Sequence, residues 1–173
     1  PFKNSKLSGF ETYRGYVWTK TDPERTGIPK FLTEKTLSFE EYVDYALQVP
    51  VYSIIRNNNY HNCTKYTFQD LLDGKNNQFA PDDILIEDWI NHISTIFTEV
   101  RLKTFIEMRG ADAGSYNTLC ALPAFWTGIL YQEDALEETF KMISEFKYDD
   151  LIQFRNNVLS VSYTHLTLPT KCS

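Results

Sequence analysis

Cysteine is scarce in this chain and is never paired in sequence. The 173 residues contain Cys63, Cys120 and Cys172, with no Cys-x-x-Cys motif and no histidine at metal-ligand spacing beside them. A structural zinc site is therefore not expected. The odd number of cysteines, with no secretory leader in the first residues, predicts reduced thiols that are buried and inert. We expect a cytoplasmic location, or a plastid if the source is a plant or alga.

Long apolar runs and clusters of positive charge are also missing. No stretch reaches 18 consecutive apolar residues, so no membrane span is expected. The 17 Lys and Arg residues are outnumbered by 23 Asp and Glu residues, which gives a net charge of −6. Because nucleic-acid binding depends on clustered positive charge, we expect neither nucleic acid nor a membrane as a partner.

Several catalytic signatures are absent. The sequence has no P-loop, no Gly-x-Gly-x-x-Gly and no Gly-x-Ser-x-Gly, so any bound ATP is not held by a P-loop. His61, His92 and His165 are far apart and lack a partner at triad spacing, and we interpret each as an ordinary surface or turn histidine. The first residue is proline rather than methionine, which suggests a chain cut from a longer one.

The residues that are present predict a folded α+β protein. Hydrophobic residues make up 42% of the chain, with 12 Phe, 11 Tyr and 3 Trp, enough for a packed core. Periodicity and capping signals predict helices over 38–50, 67–74, 86–97, 115–131, 133–146 and 148–158, and strands over 51–56, 60–64 and 103–109. Pro123 is expected to bend or break its helix. The helix that begins at Ile86 should bury its apolar stripe and turn Asp88 to the solvent.

The strand predicted over 103–109 carries the most informative pair of residues. Because side chains alternate along a strand, Glu107 and Arg109 should lie on the same face. A carboxylate holds a hard divalent cation and a guanidinium binds phosphate oxygens, so the pair suits phosphoryl chemistry with magnesium. From spacing alone, a salt bridge on a solvent-exposed face is the preferred interpretation of the pair.

Arg14 and Arg25 form a second cluster, with Trp18 and Asp22, in the loop-rich segment 1–37. Arginine is favoured where a carboxylate or phosphate is bound through two hydrogen bonds. Loops carried by a rigid scaffold often hold such binding residues. Simple surface solvation of the two arginines is the alternative interpretation.

Seven stretches of the sequence together resemble glutamate–cysteine ligase of the plant and proteobacterial type. The matches occur in order and extend over about 1–158. They are YRGYVW (13–18), DPERTG (22–27), FEEYVDYAL (39–47), DWINH (88–92), EVRLK (99–103), EMRGAD (107–112) and LCALPAFW (119–126).

The resemblance implies a fold, a reaction and roles for five residues. The family has a glutamine-synthetase-like funnel of antiparallel strands and uses ATP and Mg²⁺ to join glutamate and cysteine through a γ-glutamyl phosphate. By resemblance, Glu107 is a magnesium ligand and Arg109 contacts the γ-phosphoryl group. Arg14 corresponds to a substrate-pocket arginine and Arg25 to a second anion-binding one, while Tyr45 would form a wall of the acceptor pocket.

The chain also departs from the family pattern. Residues 159–173 continue nothing in it, and we interpret them as a non-native, poorly packed tail after a partial catalytic domain at 1–158. The strands that supply the other magnesium ligands are expected upstream of this chain, so the chain alone should be inactive. In plant members the position of Cys63 pairs with a cysteine fifteen residues later, where this chain has Gln78. A related ligase with another acceptor amine, or a non-catalytic helical interaction module, is the alternative function.

Overall fold

The computed structural model describes residues 2–3, 6–33, 38–111 and 114–160, which form two compact units. One unit is Thr19–Gly110, and the other combines the described residues of Pro1–Trp18 and Ala111–Ser173. The described helices are α1 (Tyr13–Trp18), α2 (Phe39–Gln48), α3 (Phe68–Leu72), α4 (Ile86–Ser94), α5 (Tyr116–Leu130), α6 (Glu133–Ser144) and α7 (Tyr148–Val158). The described strands are β1 (Phe2–Lys3), β2 (Lys6–Leu7), β3 (Thr26–Gly27), β4 (Ser53–Arg56), β5 (Asn59–Asn62), β6 (Phe97–Thr98), β7 (Val100–Leu102) and β8 (Ile106–Met108).

The strands pair two by two, which agrees with the predicted α+β class. Three pairs are antiparallel (β1 with β2, β4 with β5, β7 with β8), whereas β3 pairs with β6 in parallel. Short 3₁₀ helices span Lys30–Thr33 and Pro81–Asp83. Within the described part of the chain, no helix has both the length and the apolar character needed to cross a membrane.

A capping box starts α2, as the sequence predicts. The Ser38 hydroxyl accepts a hydrogen bond from the Glu41 N–H (3.2 Å), and the Glu41 carboxylate accepts one from the Ser38 N–H (2.8 Å). These bonds satisfy two amide donors that the first helical turn leaves without a partner. The helix turns Tyr42 and Ala46 into the core and ends before Pro50.

The hairpin predicted around the three asparagines is present. Strands β4 and β5 pair in register, with Ile55 opposite Tyr60. Asn57 and Asn58 have φ angles of 51° and 62°, the left-handed conformation that a two-residue hairpin turn requires and asparagine tolerates. The observed strands are shorter than predicted, at residues 53–56 and 59–62.

The core of Thr19–Gly110 consists of two apolar clusters. The first contains Val51, Ile54, Cys63, Phe68 and Leu71, and the second contains Ala46, Val49 and Ile96. Trp89 packs against both clusters from α4. Together these contacts hold α2, α3 and α4 and the β4–β5 hairpin in one unit, which supports the strands that follow α4.

The orientation predicted for α4 is right in part: Trp89 and Ile93 pack against the core as predicted, but other positions of the helix are reversed. Ile86 is 65% exposed and Ile90 is also exposed, whereas Asp88 and His92 are each 3% exposed. Polar side chains can be buried when they find partners, and both of these do. The Asp88 carboxylate accepts two hydrogen bonds from Arg56 (2.6 and 2.7 Å), and His92 Nε2 lies 2.8 Å from the Ala46 carbonyl oxygen. The prediction of a surface histidine therefore fails at His92.

In the second unit, α1 was not predicted by the sequence patterns. It begins after Thr12, whose hydroxyl accepts a hydrogen bond from the Gly15 N–H (3.0 Å). Gly15 has no room for a side chain, because a Cβ there would lie 2.8 Å from the Leu159 side chain. The Phe10 ring stacks on Tyr16 at 4.2 Å between ring centroids.

Helices α5, α6 and α7 match the predicted segments closely. Helix α5 runs continuously through Pro123, so the helix does not break there, and the predicted bend stays a prediction. A proline removes one helical hydrogen bond, and the remaining bonds continue the helix. The apolar side chains of Leu119 and Phe125 on this helix are each more than half exposed. The tail predicted to be non-native lies outside the described residues from position 161 onward.

Candidate active-site ribbon

The charged pair predicted from the sequence belongs to the antiparallel ribbon β7–β8. The register pairs Val100 with Met108, Arg101 with Glu107 and Leu102 with Ile106. The strand predicted over 103–109 is shorter than expected, because residues 103–105 form the connection between the two strands. Since residues directly opposite each other share a face, the ribbon has one charged face and one apolar face.

The carboxylate of Glu107 is shared by two arginines on the charged face. Its Oε1 atom accepts a hydrogen bond from Arg109 Nη1 (2.8 Å). Its Oε2 atom accepts two from Arg101, one from Nε (3.0 Å) and one from Nη2 (2.6 Å). The prediction that Glu107 and Arg109 lie on the same face is confirmed, and in this structure the two form a salt bridge.

Arg101 was not among the residues singled out from the sequence. Arg101 binds Glu107 through Nε and Nη2. Its third nitrogen, Nη1, donates to the carbonyl oxygens of Ser94 (2.6 Å) and Ile96 (3.1 Å). The side chain is 9% exposed, compared with 19% for Arg109 and 30% for Glu107. Side-chain alternation within one strand gives no information about residues on the neighbouring strand. The register of the β7–β8 hairpin is what places Arg101 opposite Glu107.

The electrostatics of the charged face keep Glu107 ionised. Hydrogen bonds from Arg101, the charge of Arg101 and then the contacts with Arg109 lower the pKa of Glu107, against the opposing effect of burial. Both guanidinium groups also lie over the ring of Phe97, at 6.0 Å for Arg101 and 5.5 Å for Arg109 from the ring centroid. The face therefore presents a permanent carboxylate between two cations.

The apolar face of the ribbon lines a groove of about 370 Å³. Val100, Leu102 and Ile106 form one wall, and Phe39 and Tyr42 of α2 contribute to another. Because neighbouring residues in a strand point to opposite faces, this groove and the Glu107 carboxylate lie on different sides of the ribbon. The groove is therefore not the space in front of the charged pair.

Arg25, predicted as an anion-binding residue, is 1% exposed and bound by protein groups. Its Nε donates to Asp22 (2.7 Å), its Nη2 to the Pro50 carbonyl (2.6 Å) and its Nη1 to the Thr95 hydroxyl (3.2 Å). The guanidinium also lies 3.6 Å from the centroid of the Tyr52 ring. These contacts give Arg25 a structural role. Its predicted role in substrate binding stays a prediction.

The other two predicted substrate residues, Tyr45 and Arg14, belong to different units of the chain. Tyr45 is half-buried on α2, with its ring packed against Phe31 and Tyr42 at centroid distances of 5.2 and 6.0 Å. Burial raises the pKa of Tyr45 to about 12, so its hydroxyl stays neutral. Arg14 lies on α1 in the other unit, half-buried, with its guanidinium 5.7 Å from the Trp18 ring.

The charged face offers oxygen ligands of the kind that magnesium binds. Glu107 supplies one carboxylate, whose two oxygens accept hydrogen bonds from Arg101 and Arg109 in this structure. Magnesium usually keeps several waters and uses one or two carboxylates with substrate phosphates, so Glu107 is the one side chain on this face of the described ribbon that suits the ion. Among the described residues, no three His, Cys, Asp or Glu side chains gather into a metal-binding cluster.

The comparison with known families is decisive for this chain. Residues 1–160 match the family model for Glutamate-cysteine ligase family 2. The chain belongs to this family. The match includes the whole β7–β8 ribbon, so Glu107 and Arg109 lie within the family region of the chain.

This chain is similar to curated glutamate–cysteine ligases of several plants. It is 45% identical over 158 residues to "Glutamate--cysteine ligase, chloroplastic" of Medicago truncatula, a match covering 91% of this chain and 31% of that protein. It is 45% identical over 159 residues to "Glutamate--cysteine ligase A, chloroplastic" of Oryza sativa subsp. indica (91% and 32%). It is 44% identical over 158 residues to the chloroplastic enzyme of Arabidopsis thaliana (91% and 30%). The chain therefore spans about a third of the length of the relatives it matches.

The cysteines of the ligase-family chain differ in exposure. Cys63 is buried in the first core cluster, where burial raises the pKa of its thiol. Gln78 donates from its side-chain amide to the Asn62 carbonyl (3.1 Å), beside Cys63. Cys120 on α5 is exposed, so the prediction of a buried thiol is wrong there, and Cys172 lies outside the described residues.

This difference predicts selective alkylation. We expect iodoacetamide to modify Cys120 in the native chain at least tenfold faster than Cys63, because Cys63 is both buried and harder to ionise. Peptide mapping by mass spectrometry at short reaction times measures the two rates. Urea-unfolded chain is the control, in which the two cysteines should react at similar rates; equal rates in the native chain would contradict the burial of Cys63.

Proposed function

We propose that this chain is part of an ATP-dependent ligase that joins the γ-carboxyl group of glutamate to the amine of cysteine, the first step of glutathione synthesis. The observation that supports it most directly is the pair of Glu107 and Arg109, held 2.8 Å apart on one face of a ribbon inside the region matched to the family. Mg²⁺ would be the metal ion, and ATP, glutamate and cysteine the small-molecule partners.

In the proposed reaction, a γ-carboxylate oxygen of glutamate attacks the γ-phosphorus of ATP and ADP leaves. The amine of cysteine then attacks the acyl carbon, and phosphate and a proton are released. A bound magnesium ion would neutralise charge on the transferring phosphoryl group. Glu107 would provide an oxygen ligand for it, and Arg109 would donate hydrogen bonds to phosphoryl oxygens as negative charge develops there.

Two of the other predicted residues would act on the substrates. Arg14 would bind a substrate carboxylate, and Tyr45 would form a wall of the acceptor pocket, with its neutral hydroxyl as a hydrogen-bond donor. In the full-length protein, the β7–β8 ribbon would contribute two strands to a funnel-shaped antiparallel sheet. The chloroplastic names of the plant relatives support a plastid location if the source is a plant or alga.

The test of the proposed function is an assay of the full-length protein that contains this chain. We expect phosphate release that requires glutamate, magnesium ion and an amine, with cysteine as the best of several amines offered. A better response to another amine would favour the related ligase. If no amine supports phosphate release, the ligase proposal is wrong and the non-catalytic helical interaction module is the remaining alternative.

The isolated chain is expected to be inactive. The chain spans about a third of the length of its relatives, and the resemblance implies further magnesium ligands in other parts of the family's catalytic domain. We expect γ-glutamylcysteine formation by the 173-residue chain to stay at the level of a blank without protein, measured by mass spectrometry of the product. Product formation that rises in proportion to the concentration of the chain would contradict this prediction.

A further inference from the structure

The two oxygens of Glu107 are held in different ways. Oε2 accepts two hydrogen bonds from the single guanidinium of Arg101, whereas Oε1 accepts one from Arg109. Two charge-assisted bonds from one guanidinium hold Oε2 more firmly than the single bond holds Oε1. The position of Glu107 is therefore set mainly by Arg101.

Arg101 is itself held by the backbone as well as by Glu107. Its Nη1 atom donates to the carbonyl oxygens of Ser94 and Ile96, at the end of α4 and in the segment that follows. Every nitrogen of the guanidinium therefore has a protein acceptor, and the side chain is nine-tenths buried. Arg109 follows the end of β8 and is twice as exposed.

We propose that Arg101 is a positioning residue, which holds Glu107 through Oε2 and so directs Oε1 towards the metal ion. This inference rests on the proposed function, because it takes Glu107 to be a metal ligand. Binding of a cation at Oε1 requires Arg109 Nη1 to move away from that oxygen. Arg101 keeps the carboxylate in place during this exchange, because its own anchors lie in the backbone.

Electrostatics and positioning predict opposite results when Arg101 is replaced. Removing a positive charge beside a cation site should strengthen cation binding if charge alone matters. Removing a residue that orients a metal ligand weakens binding, typically by 10- to 100-fold. The sign of the change in affinity therefore distinguishes the two explanations.

The experiment measures Mn²⁺ binding to the full-length protein at pH 7.5 by electron paramagnetic resonance of the free ion. We expect Arg101→Gln to weaken binding by about 10- to 100-fold. Arg101→Lys keeps the charge and a donor for the Ser94 carbonyl but cannot form the double hydrogen bond, so we expect at least fivefold weaker binding. Circular dichroism shows whether each variant folds. If Arg101→Gln does not fold, the Mn²⁺ affinity of Arg101→Lys distinguishes positioning from charge.

Two further variants separate the proposals. Lys103→Gln removes one positive charge from the same hairpin and should leave Mn²⁺ affinity within twofold of the original or slightly stronger. Glu107→Gln should weaken binding at least as much as Arg101→Gln. Folded Arg101 variants that bind Mn²⁺ as well as the original protein, while Glu107→Gln binds poorly, would overturn the positioning role alone. Unchanged affinity in Glu107→Gln would overturn the metal role and, with it, this inference.

Discussion

Replacing Glu107 with glutamine in the full-length protein is expected to lower magnesium-dependent phosphate release by about a hundred- to a thousandfold. A metal ion at a transferring phosphoryl group contributes several kcal/mol to the transition state, and each 1.36 kcal/mol corresponds to a factor of ten in rate. Glutamine has nearly the same shape as glutamate, but it lacks the charge that binds the ion. The rate of phosphate release at saturating glutamate, cysteine and ATP measures the effect.

The structure offers a matched control for this variant. Glu138 on α6 also accepts a hydrogen bond from a cationic side chain, Lys141, at 2.7 Å, but both side chains are well exposed to solvent. Exposed pairs of this kind contribute little to stability, so Glu138→Gln should keep activity within twofold. If Glu107→Gln loses no magnesium-dependent phosphate release, the metal role proposed for Glu107 is wrong.

The loss of activity in Glu107→Gln must be separated from a loss of structure. The glutamine carbonyl can still accept hydrogen bonds from Arg101, which keeps its anchors at Ser94 and Ile96. We therefore expect the variant to fold, with a thermal midpoint within a few degrees of the original. Because Arg101 and Arg109 lower the pKa of Glu107, the carboxylate of the original protein is ionised throughout the neutral range. A change in its protonation is therefore not the cause of the difference at neutral pH.

The parts of the fold that the sequence predicted well depend on neighbours within a few residues. The capping boxes of α2 and α3 are local, since Ser38 and Thr67 each bond with a residue three positions later. The Asn57–Asn58 turn is also local, because the turn itself demands residues that tolerate positive φ. Such features can be read from spacing alone, and all of them are present.

The parts that failed depend on partners far away in sequence. Asp88 is 32 residues from Arg56, and Arg25 is 70 residues from Thr95. Periodicity classes an aspartate or an arginine as solvent-exposed, and it contains no information about a partner that permits burial. The same limit explains why Glu107 and Arg109 were placed on one face correctly while Arg101, on the neighbouring strand, was missed.

The second large effect is expected at the pair formed by the buried Asp88 carboxylate and the partly exposed Arg56. Replacing Arg56 with methionine should lower the free energy of unfolding of Thr19–Gly110 by about 3–5 kcal/mol, because it leaves the Asp88 carboxylate buried without its counter-charge. The Asp88 side chain is 2% exposed, and its carboxylate also accepts a hydrogen bond from the Leu85 N–H (2.8 Å) at the start of α4. Hydrogen exchange of the α4 and β4 amides, followed at pH 7, measures the loss within this unit.

The pH dependence of this loss tests its cause. Burial alone would raise the pKa of Asp88, but the hydrogen bonds from Arg56 and Leu85 and the charge of Arg56 outweigh it and lower the pKa. The pair therefore stabilises the fold above about pH 4, the unfolded value for aspartate, and this contribution is lost as pH falls through the lower folded pKa. Without Arg56, burial raises the folded pKa, so Asp88 takes up a proton on mild acidification and the penalty shrinks.

Two comparisons make the prediction specific to the unpaired charge. The double variant Arg56→Met with Asp88→Asn removes both charges and should recover part of the stability, because no buried carboxylate remains. Lys65→Met removes an exposed positive charge from the same unit and should change the free energy of unfolding by no more than about 0.5 kcal/mol. If Arg56→Met is no more destabilising than Lys65→Met at pH 7, Asp88 does not depend on Arg56 for its burial. Partial recovery in the double variant, together with a penalty that shrinks on acidification, would instead identify the uncompensated carboxylate as the cause of the loss.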